Sequence, residues 1–198
     1  MTNEFHDLIL AYSRQSDGGG RKNIEQQLWE KYGASKAVLV LDMSGFSLLT
    51  QRYGIVHYLA MIKRMQLTVS PIIDSHRGAV VKFEADNCFS VFDDVLSATR
   101  AAVSINVAFN AANLITSDEQ DIHVSIGIDY GKILMVKDDL FGHAVNRASK
   151  LGEDIAERGE ILVVKDAFDT VGADAQIRTR PMDFNISGLN IQAVSVLL

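Results

Sequence analysis

Residues 37–43, AVLVLDM, are apolar without a break through Leu41 and then carry a carboxylate, Asp42, and this segment restricts the fold more than any other. A short, continuous aliphatic run reads as a central strand covered by helices, because a strand with one wet face would alternate apolar and polar residues. Asp42 closes that strand and needs a partner, since an unpaired ionised group among apolar side chains costs several kcal/mol.

From residue 36 onward the patterning predicts strands alternating with helices. A helical stretch over 46–74 follows the first strand, with Phe46, Leu49, Tyr58, Leu59, Ile62 and Met65 as its buried face and Pro71 disturbing its end. GAVVKF and CFSVFD make two strands around Glu84-Ala85-Asp86-Asn87, which reads as a hairpin turn. Then come a helix over 94–114, strands near 121–129 and 131–136, a helix over 141–156, a strand at 160–164 and strands near 176–184 and 190–197. The order predicts an α+β fold, a ferredoxin-like βαββαβ sandwich with C-terminal strands appended.

Upstream, residues 4–16 read as an amphipathic helix with Phe5, Leu8, Ile9 and Tyr12 on one face. The run SDGGGRKN at 16–23 lacks the glycine spacing and the Lys-Ser/Thr ending of a P-loop, so it predicts a flexible turn before a second helix over 22–32 that carries Ile24, Leu28 and Trp29. The expected division is a helical extension over 1–35 and one domain over 36–198.

Composition narrows the partners. A net charge of −6 argues against a general nucleic-acid binder, although metal ions can screen an acidic protein from a polyanionic nucleotide. Cys88, the single cysteine, excludes an internal disulfide and fits a reducing compartment. The first residues lack a signal peptide's basic and apolar regions, and no run approaches the ~20 apolar residues that span a bilayer, so a cytoplasmic protein with no membrane partner is expected.

Three segments carry chemistry. Asp42, followed by Gly45, Phe46 and Ser47, and Asp86 in the hairpin turn are two carboxylates from adjacent strand ends. Such a pair can hold two Mg²⁺ ions about 4 Å apart for in-line phosphoryl displacement. Taken alone, Asp42 serves equally well as a cap for the Ser44 and Gly45 amides. Lys82 precedes Asp86 by four residues, and by itself this pair reads equally well as a solvated lysine and a turn aspartate. The third segment runs from Asp139 through Gly142, Val145, Asn146, Ala148, Ser149, Lys150 and Leu151; Asn146 and Lys150, four apart, share a helical face. His143 reads as a helix-surface residue, and no Ser-His-Asp arrangement or nucleophile elbow is visible.

In this order the three segments resemble the catalytic core of the class III nucleotide cyclases, over about residues 36–198. The resemblance implies two divalent metal ions, Mg²⁺ or Mn²⁺, on Asp42 and Asp86, and nucleotide binding by Lys82, Asp139, Phe46 and Asn146. It implies that Asn146 orients the ribose and Lys150 stabilises charge on the phosphates of a nucleoside triphosphate. It also implies a head-to-tail homodimer whose shared active sites take the metal carboxylates from one subunit and the remaining contacts from the other. Departures are Ala85 where Gly is usual, Glu84 at a typically apolar position, Lys150 where Arg is usual, and Ser187-Gly188-Leu189 where a phosphate-contacting Lys is common, with Arg178 and Arg180 nearby. Lys82 with Asp139 resembles an adenine reader, whereas the departures resemble the stand-alone bacterial pyrimidine cyclases of antiphage defence; a degenerate, regulatory nucleotide-binding domain is the alternative.

Overall fold

A computed structural model describes residues 3–172, 175–186 and 189–198. In chain order the elements are α1 (Asn3–Arg14), α2 (Gly18–Tyr32), β1 (Gly33–Met43), α3 (Phe46–Tyr53), α4 (Ile55–Ser75), β2 (Ala79–Glu84), β3 (Asn87–Phe92) and α5 (Val95–Asn113). They continue with β4 (Val124–Val136), β5 (Asp139–Phe141), α6 (His143–Ser149), a π-helical turn (Lys150–Ile155), β6 (Ile161–Val164), α7 (Lys165–Phe168), β7 (Thr179–Ile186) and β8 (Leu189–Val196). One sheet runs β2-β3-β1-β4-β6-β8-β7, with β5 paired to β4. β4 and β6 are parallel, and every other pair is antiparallel.

β1 is central because both of its faces are covered. Ala37, Leu39, Leu41 and Met43 join the larger core with α4 and α5, whereas Val38 and Val40 join a second core with Ala144, Val145 and Ala148 of α6. Strand alternation therefore gives Asp42 to the α6 face, at the end of the sheet. A third, small cluster of Phe5, Leu28 and Val136 holds α1 and α2 against the far end of β4.

The α+β class is as expected, and several boundaries differ for physical reasons. The stretch 46–74 divides into α3 and α4 at Gly54, whose φ of +84° no helix continues. Pro71 lies inside α4 without ending it; its missing amide leaves a carbonyl one turn back without a helical donor. The glycines at 18–20 are not a loop but the first turn of α2, because Asp17 caps it by accepting from the Gly20 amide at 2.7 Å. The two strands expected over 121–136 are one, since β1 pairs with β4 without interruption from Gly33–Leu134 to Met43–Val124. The helix expected over 141–156 is α6 followed by the π-helical turn. Within the expected buried face of 46–74, Tyr58 and Met65 are fully buried but Leu59 is 56% exposed.

Candidate active site

The end of β1 and the β2–β3 turn bring Asp42 and Asp86 into electrostatic contact. Burial pushes the Asp42 carboxyl up to about 7, with the charge of Asp86 as the next cause and Glu153 of the π-helical turn after it. Asp42 does not cap the Ser44 amide, which bonds instead to the His123 carbonyl at 2.9 Å. Asp86 accepts a hydrogen bond from the Tyr58 hydroxyl of α4 at 2.7 Å. The turn is two residues long, Ala85 and Asp86, and Ala85 takes φ +51° where the resemblance expects glycine. Two neighbouring carboxylates with an all-oxygen donor set suit a hard divalent cation, whose charge would favour the ionised form of Asp42 that burial, and next the charge of Asp86, disfavour. No group of three or more His, Cys, Asp or Glu among the described residues is arranged to hold a metal. Two protein carboxylates with water and substrate phosphates are, however, the usual ligand set of Mg²⁺.

Lys82 is aimed by an irregularity that the alternation of strand residues does not announce. The β2–β3 register slips between Val80 and Lys82. Val80 and Phe83 pack on the larger core, Val81 on the α6-side core, and the Lys82 ammonium lies 4.8 Å from the Phe89 ring centroid, also on the α6 side. The bulge thus places Val81 and Lys82 on the same face, where a regular strand would turn Lys82 into the larger core. There the ammonium meets Asp139 Oδ1 at 3.0 Å and Glu84 Oε2 at 2.7 Å. Burial works against the Lys82 charge, but the bonds to Glu84 and Asp139 outweigh it and raise the pKa. Lys82 and Asp139, 57 residues apart in the chain, are thus joined in one ion pair.

Asn146 is exposed on α6, and the Lys150 amide donates to the Asn146 carbonyl, so helical spacing carries through both residues. The Lys150 ammonium bonds to Asp154 at 2.6 Å. Between them Arg147 makes a contact that the motif leaves unspecified: its Nε donates to Asp129 Oδ2 at 2.7 Å and Nη2 to Oδ1 at 3.0 Å. Asp129 is fully buried on β4, and burial raises its carboxyl pKa against the opposing effects of Arg147 and the Tyr130 amide. Just beyond, Gly127 lies so close to this segment that a Cβ on it would stand 2.1 Å from the Ala148 carbonyl oxygen and 2.5 Å from the Gly152 nitrogen. An Asp in a strand and an Arg at a helix position that the motif does not specify carry no sequence signal of pairing.

Of the remaining candidates, His143 is exposed at the start of α6, Arg178 is exposed, and Arg180 lies 3.9 Å from Glu160. The side chain of Phe46 and the residues Ser187 and Gly188 lie outside the described part of the chain. No described helix is long and apolar enough to cross a membrane.

The pattern for the adenylate and guanylate cyclase catalytic domain matches residues 31–192. An adenylate cyclase of Streptomyces coelicolor is 28% identical over 144 residues, which are 73% of this chain and 35% of that protein. A Rhizobium meliloti relative is 28% identical over 127 residues, or 64% of this chain and 22% of its own length, so the chain spans a minor part of these curated relatives. Among solved structures, an adenylate/guanylate cyclase/hydrolase from Silicibacter pomeroyi superposes with a TM-score of 0.72 at 26% identity, covering 84% of this chain and 98% of that one. The adenylyl cyclase CyaB from P. aeruginosa shares the fold at a TM-score of 0.69 and 20% identity, over 83% of this chain and 95% of its own. With the family pattern spanning all three motif segments, the chain belongs to the adenylate and guanylate cyclase catalytic domain family, a family of nucleotide cyclase domains.

Proposed function

We propose that this chain is a nucleotide cyclase that converts a nucleoside triphosphate into a 3′,5′-cyclic nucleotide and pyrophosphate. The observation that carries this reading is the joint presence of the Asp42–Asp86 carboxylate pair and the Lys82–Asp139 donor–acceptor pair within one family domain. In the reaction the ribose 3′-oxygen bonds to the α-phosphorus, the bond from that phosphorus to the β-phosphate oxygen breaks to release pyrophosphate, and the 3′-hydroxyl proton passes to solvent water. Asp42 and Asp86 would hold two divalent cations, Mg²⁺ or Mn²⁺, and the chemistry such ions would supply there is Lewis-acid stabilisation of the attacking and leaving oxygens. Lys82 donates to the base edge and Asp139 accepts from it, with Phe46 contributing to nucleotide binding. Asn146 orients the ribose, and Lys150 meets the charge that builds on the phosphates as a point charge without arginine's fork. Residues 36–198 are the catalytic domain and 1–35 an extension. The active form is a homodimer in which the carboxylates of one subunit face the base, ribose and phosphate contacts of the other.

The base is adenine or a pyrimidine. Lys82 with Asp139 supports adenine, and the added Glu84 carboxylate on Lys82 supports a remodelled, pyrimidine-reading pocket, with a role in antiphage signalling. A second reading, a regulatory domain that binds nucleotide without turnover, draws on the engagement of Lys150 by Asp154.

The test is turnover of purified protein on ATP, GTP, CTP and UTP with Mn²⁺ and then Mg²⁺, with cyclic products resolved by mass. Cyclic AMP supports the adenine reading and cyclic CMP or UMP the pyrimidine reading. No product from any of the four supports the regulatory one. Asp42→Ala is expected to abolish turnover with the fold intact; full activity in that variant removes the carboxylate pair from the mechanism.

A further inference from the structure

We propose that Tyr58 is a positioning residue that orients Asp86 toward a divalent cation, an inference that rests on the two-metal reading of that site. The buried side of α4 is a stripe at three- and four-residue spacing, Tyr58, Met61, Met65, Val69 and Ile73, which belongs to the larger core. All of it is apolar except the one phenol at its N-terminal end. That phenol is fully buried, and a hydroxyl taken out of water into such a core is unfavourable without an acceptor. A phenylalanine would fill the same space with no such penalty, so a hydroxyl here departs from what packing alone selects, as side chains at functional sites do.

Its acceptor is Asp86 Oδ2 at 2.7 Å. No other hydrogen bond or ion pair to the Asp86 carboxylate is present among the described residues, so the phenol is what sets the carboxylate's orientation there. The backbone beneath it gives less help than the family's turn would. Ala85 occupies a left-handed conformation of φ +51° in a two-residue connection, and an alanine limits how that turn can relax. The bond occupies one carboxylate oxygen and leaves the other free to face Asp42 and a cation. This is how a neighbouring donor tunes a metal ligand: it fixes the rotamer and the direction of the free lone pairs, and its loss typically weakens metal binding 10–100-fold. Glu153 adds charge near both Asp42 and Asp86 but makes no bond to Asp86.

The test is Tyr58→Phe in the full-length chain, titrated with Mn²⁺ alone and followed by the electron paramagnetic resonance of free Mn²⁺. Thermal unfolding in EDTA is measured alongside, and Asp86→Asn serves as the reference variant. The expected result is about 10–100-fold weaker Mn²⁺ binding in Tyr58→Phe, with an unfolding midpoint in EDTA close to that of the parent. Mn²⁺ affinity unchanged in Tyr58→Phe, while Asp86→Asn abolishes it, overturns the role of Tyr58 and leaves the two-metal reading standing. Undiminished binding in Asp86→Asn overturns both.

Discussion

Ala85 carries a conformation its side chain disfavours, immediately before one of the two carboxylates on which the proposed chemistry depends. A left-handed L-residue costs roughly 1–2 kcal/mol, and glycine removes most of that while adding some entropy to the unfolded chain. Ala85→Gly is therefore expected to stabilise the protein by about 1 kcal/mol in urea unfolding. A destabilised variant would show that the alanine methyl has contacts that outweigh its backbone angle. The departure from the family pattern was legible as a residue, but its cost was not, because φ belongs to the folded turn. Lys82 and Asp139 were similarly legible as members of two motifs. The bulge that turns Lys82 onto the face of Phe89 and Asp139 was not, since a one-residue slip in pairing leaves no trace in residue type.

At the level of elements, α6 is short, and its placement on the sheet depends on two close contacts. One is the approach of Gly152 to Gly127, and the other is the Arg147–Asp129 pair. Removing the guanidinium leaves a fully buried carboxylate whose remaining hydrogen bond among the described residues is from the Tyr130 amide. Arg147→Ala is expected to cost about 3–5 kcal/mol, read by denaturant unfolding. Turnover should also fall in conditions where the variant is still folded, because Asn146 and Lys150 flank Arg147 on the same segment. Stability equal to the parent's would mean that water reaches Asp129 when the arginine is gone. The helix itself was foreseeable from its motif. Its change to a π-helical turn at Lys150, the merging of two expected strands into β4, and the start of α2 at its glycine triplet were not. Each is set by a partner elsewhere in the chain or by a cap, not by local propensity.

For the molecule as a whole, the sheet separates a large core under α4 and α5 from a smaller one under α6; Asp42 closes β1 and Asp86 lies in the β2–β3 turn, while Lys82 with Asp139 lies on the α6 side. The N-terminal helices reach toward it as well. Phe5 stacks on Phe141 with ring centroids 5.9 Å apart, two residues beyond Asp139, so α1 braces the strand that carries the proposed base contact. If the active unit is a homodimer with shared sites, two inactive variants should complement each other. Asp42→Ala mixed with Lys150→Ala forms mixed dimers with one intact site each, and an equimolar mixture should recover about a quarter of the parent's turnover. Recovery of nothing above the separate variants would place every contact of a site within one subunit.

The apolar run that closes on Asp42, the order of strands and helices, and the three motif segments are written in the chain because burial and helical spacing leave periodic patterns in residue type. The Tyr58–Asp86 hydrogen bond, the Glu84 bond to Lys82, the Arg147–Asp129 pair and the Gly127–Gly152 contact join residues whose types alone suggest no partner. Only the folded arrangement decided them, since a hydrogen bond, a strand register or a backbone approach is a matter of distances of a few ångströms between segments that are remote in the chain or turned toward each other only by the fold.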